Sequence, residues 1–212
     1  MTHAAWPVTP EAIIPFLIAV TLIELTPGPN MGYLAALSAM EGRGAGLRAV
    51  AGVTVGLSVY MLASVFGVAE LIAAAPIAYA LLRWAGVAYL LYLAWEAWRG
   101  ASETSPGHEG LADHAPFVRG LVANLLNPKA AVFYISLLPG FVAPDHAPFW
   151  AQALVFGCAH IGISIVVHTL IVFGAASAGV ALAQFEHRRE VRRGMALAIA
   201  AIALWLAFSP RS

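Results

Sequence analysis

Six stretches of this sequence are apolar over the length a helix needs to cross a bilayer, and no other feature constrains its fold as much. A spanning α-helix takes about 20 mostly apolar residues. The stretches run from about Glu11 to Met40, Ala45 to Ala75, Ile77 to Trp98, Phe117 to Phe141, Phe149 to Gln184 and Gly194 to Phe208, the last of them short. Of 212 residues, 61% are hydrophobic and 10% charged, against about 45–50% and about 25% in a soluble domain. One globular core of this size cannot hide that surplus, so lipid is the expected solvent. The expected fold is an all-α integral membrane protein, a single transmembrane domain over residues 1–212. Zero net charge leaves no basic footprint for nucleic acid. The single cysteine, Cys158, excludes an internal disulfide and reads as a small buried apolar residue. The opening MTHAAWPVTP lacks the basic region of a secretory signal and reads as a short tail before the first membrane helix.

The first stretch is interrupted by ELTPGPN, Glu24 to Asn30. A proline removes an amide donor and clashes with the preceding turn, and in hydrocarbon no water satisfies the freed carbonyls. Such a break persists where protein or a wet cavity takes over those groups. Pro27, Gly28 and Pro29 therefore mark an opened helix near the membrane midplane, with Glu24 just before it and Thr26 and Asn30 at its edges. Half-helix N-termini suit a carboxylate and half-helix C-termini suit an ammonium or a proton. A packing kink is the plainer alternative.

The fourth stretch is interrupted at Asn127-Pro128-Lys129, and the halves correspond elsewhere as well. Pro27 and Pro128 are 101 residues apart, Gly52 and Gly157 are 105, and Trp95 and Trp205 are 110. Arg83 precedes Trp95 by twelve residues, as Arg193 precedes Trp205. Three helices per half make an odd repeat, which must insert upside down relative to its partner. The reading is two inverted three-helix repeats, about 11–98 and 117–208, joined by a polar cytoplasmic loop at about 99–116, with helices one and four broken. That is the plan of secondary transporters whose broken helices meet at a midplane site.

Lys and Arg set the orientation. The connections after helices one, three and five hold Arg43, Arg48, Arg99, Arg119, Arg188, Arg189, Arg192 and Arg193, while the opposite side holds Arg83 and Arg211. Lys129 lies inside helix four. Both termini are thus expected outside. A buried charge is expensive, about 2.5–3.5 kcal/mol on insertion scales, so Glu24 and Lys129 should face the interior with partners. If the two breaks meet, they could pair with each other, or bind substrate ammonium, substrate carboxylate and protons in turn. Asn124 and Asn127 share a face of helix four, to bond either substrate or freed backbone.

The TPGPN of Thr26–Asn30, the following EGRGAGLRAVAGVTVG, the RWAGVAYLLYLAWEAWR of helix three and the NLLNPKAAVFYISLLPGFV of helix four occur in one order and spacing. On these the whole chain resembles the LysE/RhtB family of amino-acid exporters. The resemblance implies efflux of amino acids or related small metabolites across the bacterial inner membrane, driven by the proton gradient, without a cofactor. Lys129 belongs to the family-like NPK; Glu24 lies outside it. The substrate stays open, as does a homo-oligomer.

His160, Ser164 and His168 form one stripe of helix five. Polar helix packing is the plain reading and a proton relay the functional one; two histidines do not make a metal site. The same stripe is the only foothold for an alternative, an intramembrane enzyme, because neither GxSxG nor HExxH occurs. No Walker A pattern occurs either, so the chain carries no ATP engine of its own. Gly52 and Gly56 form a GxxxG, read as packing inside the monomer. Trp84, Tyr89, Tyr92, Trp95 and Trp98 suit a helix with its ends at the membrane interfaces.

Overall fold

A computed structural model describes residues 6–26, 28–66, 76–99, 109–183 and 188–208. Pro27, the end of the second stretch up to Ala75, residues 100–108 of the polar loop and the start of the charged knot at Glu186 lie outside the described residues. The described chain is helical throughout: α1 Pro10–Leu25, α2 Pro29–Val65, α3 Pro76–Arg99, α4 Glu109–Leu125, α5 Pro128–Val132, then a π-helical turn Phe133–Leu137 and a 3-10 turn Leu138–Phe141, α6 Phe149–Ala183 and α7 Arg188–Phe208.

Local chemistry sets the helix ends. Thr26 is extended, at φ −68° and ψ 122°, as is Gly28, at φ −153° and ψ 174°. Each precedes a proline, whose ring disfavours helix in the residue before it. Pro29 then opens α2, where a fixed φ and a missing N–H cost nothing. Thr26 closes α1 by donating its hydroxyl to Leu22 O at 2.7 Å. Within α2, Gly42 stands at φ +85° and ψ −178°, a region essentially reserved for glycine. It divides α2 into two helices, ending the first expected stretch and beginning the second.

The other break is built differently. Asn127 caps α5, its Oδ1 accepting from the Lys129 N–H at 3.0 Å. That leaves the Leu125 carbonyl without its helical donor, and the Tyr60 hydroxyl of α2 supplies one at 2.7 Å. The segments on either side bend by 51°. α4 begins at Glu109 rather than Phe117, because polar residues prolong the helix beyond its apolar run. The α5 helix passes into a π turn, a form common at functional sites, which buries Phe133 and Tyr134 completely.

Among the described residues two helices are long and apolar enough to cross a membrane, Pro29–Val65 and Phe149–Val180, with a third if the bent pair Ala115–Leu125 and Pro128–Phe141 is one span. Trp84–Trp95 is a shorter apolar helix. Small residues bring the helices together. A Cβ at Gly52 would collide with the Phe117 carbonyl, one at Gly120 with Ala49, and one at Gly179 with Ala39. The GxxxG therefore seats α2 on α4 inside the monomer. α2 also packs on α6, α1 on α6, and α3 on α7. Ile14, Ile18, Leu22, Leu170 and Val180 point outward, each more than half exposed, which suits lipid. Cys158 corrects the expectation of burial: it is exposed, on the outward face of α6, with its thiol 3.9 Å from Met61 Sδ.

Candidate binding site at the two helix breaks

The breaks of α1/α2 and α4/α5 meet at one cavity. Its walls include Glu24, Gly28, Asn30 and Met31 from the first break, Asn124, Asn127 and Lys129 from the second, and His160, Ser164 and His168 from α6. Its room is about 20 Å³, about enough for one water molecule. An amino acid requires it to open. Thr26, Pro29 and Pro128 shape this site through the backbone, as the break geometry dictates.

Glu24 is 7% exposed and engages both histidines. Oε1 lies 3.2 Å from His160 Nε2 and Oε2 lies 3.6 Å from His168 Nε2. Each histidine is held from behind. His160 Nδ1 is 3.2 Å from the Tyr134 hydroxyl, and His168 Nδ1 is 3.1 Å from Ser164 Oγ. The result is a continuous line, Tyr134–His160–Glu24–His168–Ser164. With Glu24 ionised and each imidazole bearing its proton on Nε2, every contact joins a donor to an acceptor. Phe133 packs against His160 with ring centroids 3.8 Å apart and planes tilted by 38°, which restrains the imidazole. Among the described residues no group of His, Cys, Asp and Glu is arranged to hold a metal ion.

Lys129 does not pair with Glu24. Its Nζ donates to Thr26 O at 2.9 Å, a carbonyl at the C-terminal end of α1, where the partial negative charge of a helix end attracts a cation. The stem runs beside Gly28, where an added Cβ would sit 3.4 Å from Lys129 Cδ. Among the described residues, Nζ has no second acceptor, so two ammonium hydrogens stay uncommitted there. On the same wall, α2 begins without a side-chain cap, so the first N–H groups after Pro29 are open to an anion. The cavity thus has a carboxylate and an ammonium on its walls that are not bonded to each other.

Three buried polar atoms at this cavity have no protein partner: Asn30 Oδ1 and both amide atoms of Asn124. Asn127, by contrast, is committed to the backbone of its own break. The sequence brought Glu24 and Lys129 forward together, as possible partners at meeting breaks, and the asparagines and the histidines separately. It missed Tyr134 and Tyr60, although a tyrosine inside an apolar helix always needs a partner when buried.

A family model described as LysE type translocator matches residues 21–209 of this chain. An uncharacterised membrane protein of Pseudomonas aeruginosa is 35% identical over 182 residues, covering 82% of each chain. A homoserine/homoserine lactone efflux protein of Salmonella typhimurium is 31% identical over 156 residues, 73% of this chain and 75% of its own. A leucine efflux protein of Salmonella choleraesuis is 34% identical over 131 residues, 60% of this chain and 61% of its own. No solved structure matches.

Proposed function

Since this chain belongs to the LysE type translocator family, we propose that it exports a small amino acid or closely related metabolite across the bacterial inner membrane in exchange for protons. It is an all-helical membrane protein of a translocator family, not an enzyme. The His160/Ser164/His168 stripe is then part of a transport site rather than catalytic machinery.

The observation that carries this reading is the pair of unbonded opposite charges on one cavity. A zwitterion presents the complementary pair. Its ammonium would take Glu24, and its carboxylate would take Lys129 and the uncapped start of α2. The efflux names of two relatives support the same substrate class.

Protons enter through the same carboxylate. The histidines and the substrate ammonium compete for Glu24 Oε1 and Oε2. A proton arriving along Tyr134–His160 or Ser164–His168 neutralises Glu24 and releases its hold on the ammonium. Loss of that proton restores the anion for the next substrate. Histidine is suited to such a relay because it changes charge near neutral pH. Substrate and proton thereby occupy the site in turn, as antiport requires.

The architecture that fits this cycle is six spans in two inverted repeats, with Arg43, Arg48, Arg119 and Arg193 on the cytoplasmic side and both termini outside. The helix pairing supports it. With helix one taken as α1 plus α2 up to Gly42, and helix two as α2 beyond it, the close approaches of Gly52 to Phe117 and of Gly120 to Ala49 join helix two to helix four, and that of Gly179 to Ala39 joins helix five to helix one, the same pairing once the halves are exchanged. The cavity, with room for about one water, must widen to hold an amino acid during this cycle.

The test is efflux from cells preloaded with dipeptides that release single amino acids. Wild type should clear one or a few of them faster than cells lacking the protein. A protonophore or Lys129→Ala, at equal membrane abundance, should remove the difference. Clearance indifferent to the protonophore would end the antiport reading, and clearance of no amino acid would end the substrate reading.

A further inference from the structure

Glu24, Lys129 and the start of α2 account for the two charges common to every amino acid, and so they cannot distinguish one side chain from another. The other walls of the cavity carry that information. Ile23, Met31, Leu57, Ala130 and Phe133 are apolar. Of the polar side chains, Asn127 is bound to its own backbone, Ser164 to His168 and His160 to Glu24 and Tyr134. Asn124 stands apart with both amide atoms unmet, and Asn30 with its Oδ1 alone. Asn124 is 1% exposed.

A buried amide that makes none of its bonds costs about 1–3 kcal/mol per unmet group. Asn124 cannot turn away to find partners, because the packing behind it is tight. A Cβ added at Gly56 would stand 2.6 Å from Asn124 Oδ1 and 2.9 Å from its Cβ. The α2 helix therefore meets the amide with a glycine at close contact, which fixes Asn124 in its place in the cavity wall. Asn30 adds another unpartnered acceptor, Oδ1, to the same space.

Resting on the exporter reading above, we propose that Asn124, held in place by Gly56, is the residue that selects the substrate side chain, and that it selects an uncharged side chain carrying a group that both donates and accepts hydrogen bonds, a hydroxyl or a carboxamide. Such a group accepts from Nδ2 of Asn124 and donates to Oδ1 of Asn124 or of Asn30. An aliphatic side chain of the same shape leaves these atoms bare. A charged side chain meets no free counter-ion among the described residues of these walls, whose acid and base besides the two histidines are Glu24 and Lys129, already taken by the zwitterion.

The experiment uses the full-length protein in proteoliposomes with an imposed pH gradient and isosteric substrate pairs: threonine against valine, serine against 2-aminobutyrate, homoserine against norvaline. Wild type should favour the hydroxylated member of at least one pair by about 10–100-fold, the equivalent of one or two hydrogen bonds. Asn124→Leu, close to the same shape, should bring that ratio to about one or invert it while the aliphatic member is still carried. Gly56→Ala should push the amide into the cavity and restrict transport to the smaller pairs. Transport of both members of every pair at equal rates by wild type would overturn the proposal and leave the exporter reading intact. So would an unchanged ratio in Asn124→Leu. Transport of no amino acid at all would overturn both. The wild-type comparison decides the case even if the variants fail to reach the membrane.

Discussion

Replacing Glu24 by glutamine separates the charge of the site from its shape. Gln keeps the side chain's outline, and the network can re-form around it. Its Oε1 accepts from one histidine as before. Its Nε2 must donate to the other imidazole, which then carries its proton on Nδ1 and donates to the hydroxyl behind it. Tyr134 at 3.2 Å and Ser164 at 3.1 Å can both accept. Glu24→Gln should therefore fold and reach the membrane at wild-type levels. What it loses is the anion. A hydrogen bond to a charged group contributes about 1.5–3 kcal/mol and a neutral one about 0.5–1.5 kcal/mol, so the ammonium of a substrate should bind more weakly by about 1–2 kcal/mol, or about 5–30-fold. The effect on coupling is larger in kind, because a carboxamide does not take up a proton near neutral pH. In proteoliposomes loaded with substrate, a pH gradient should accelerate wild type and leave Glu24→Gln unaffected, while substrate exchange at equal pH continues at reduced affinity. A Glu24→Gln protein that still concentrates substrate in response to the gradient would refute the assignment of the proton to this carboxylate.

Four further outcomes follow from single contacts. Tyr60→Phe removes the only side-chain donor to the Leu125 carbonyl at the break and should lower thermal stability in detergent by about 1–3 kcal/mol, the cost of a buried unmet acceptor. Gly42→Ala places a Cβ at φ +85° and should cost about 1–3 kcal/mol, seen in the same melt, with substrate selectivity unchanged. Gly52→Ala forces α2 away from the Phe117 carbonyl and should reduce both stability, by about 1–3 kcal/mol, and transport. Gln152→Leu removes three bonds that tie the turn before α6, to Ala143 N, Ala143 O and Ala147 O; protease cutting at that turn should rise severalfold.

The elements that could be read from sequence are those fixed by a residue and its immediate neighbours. TPGPN announces its own geometry, since each residue before a proline is driven to the extended form. Asn127-Pro128 is a cap followed by a first-turn proline, and Gly42 lies in the short gap between the first two apolar runs. What could not be read depends on distant helices turning particular faces toward one another. Glu24 and Lys129, opposite in charge and each set inside an apolar run, look like natural partners. Instead Glu24 meets α6, whose stripe of His160, Ser164 and His168 is rotated onto α1, and Lys129 finds a carbonyl that only the break itself exposes. Tyr60 was silent for the same reason: its role exists because Asn127 diverts the Lys129 N–H. The start of α4 escaped detection because residues 109–116 are helical without being apolar, so hydropathy alone places them in the loop.

The central claim is that a zwitterion spans Glu24 and Lys129, and it is tested most directly by a binding cycle on the purified protein. Affinity for the transported amino acid is compared with that for its N-acetyl and its amide derivatives, in wild type, Glu24→Gln and Lys129→Met. Blocking the amine should weaken binding strongly in wild type and little in Glu24→Gln; blocking the carboxylate should weaken it strongly in wild type and little in Lys129→Met. Equal penalties in all three proteins would contradict the account, because the charges on the substrate would then be met somewhere other than at the two broken helices.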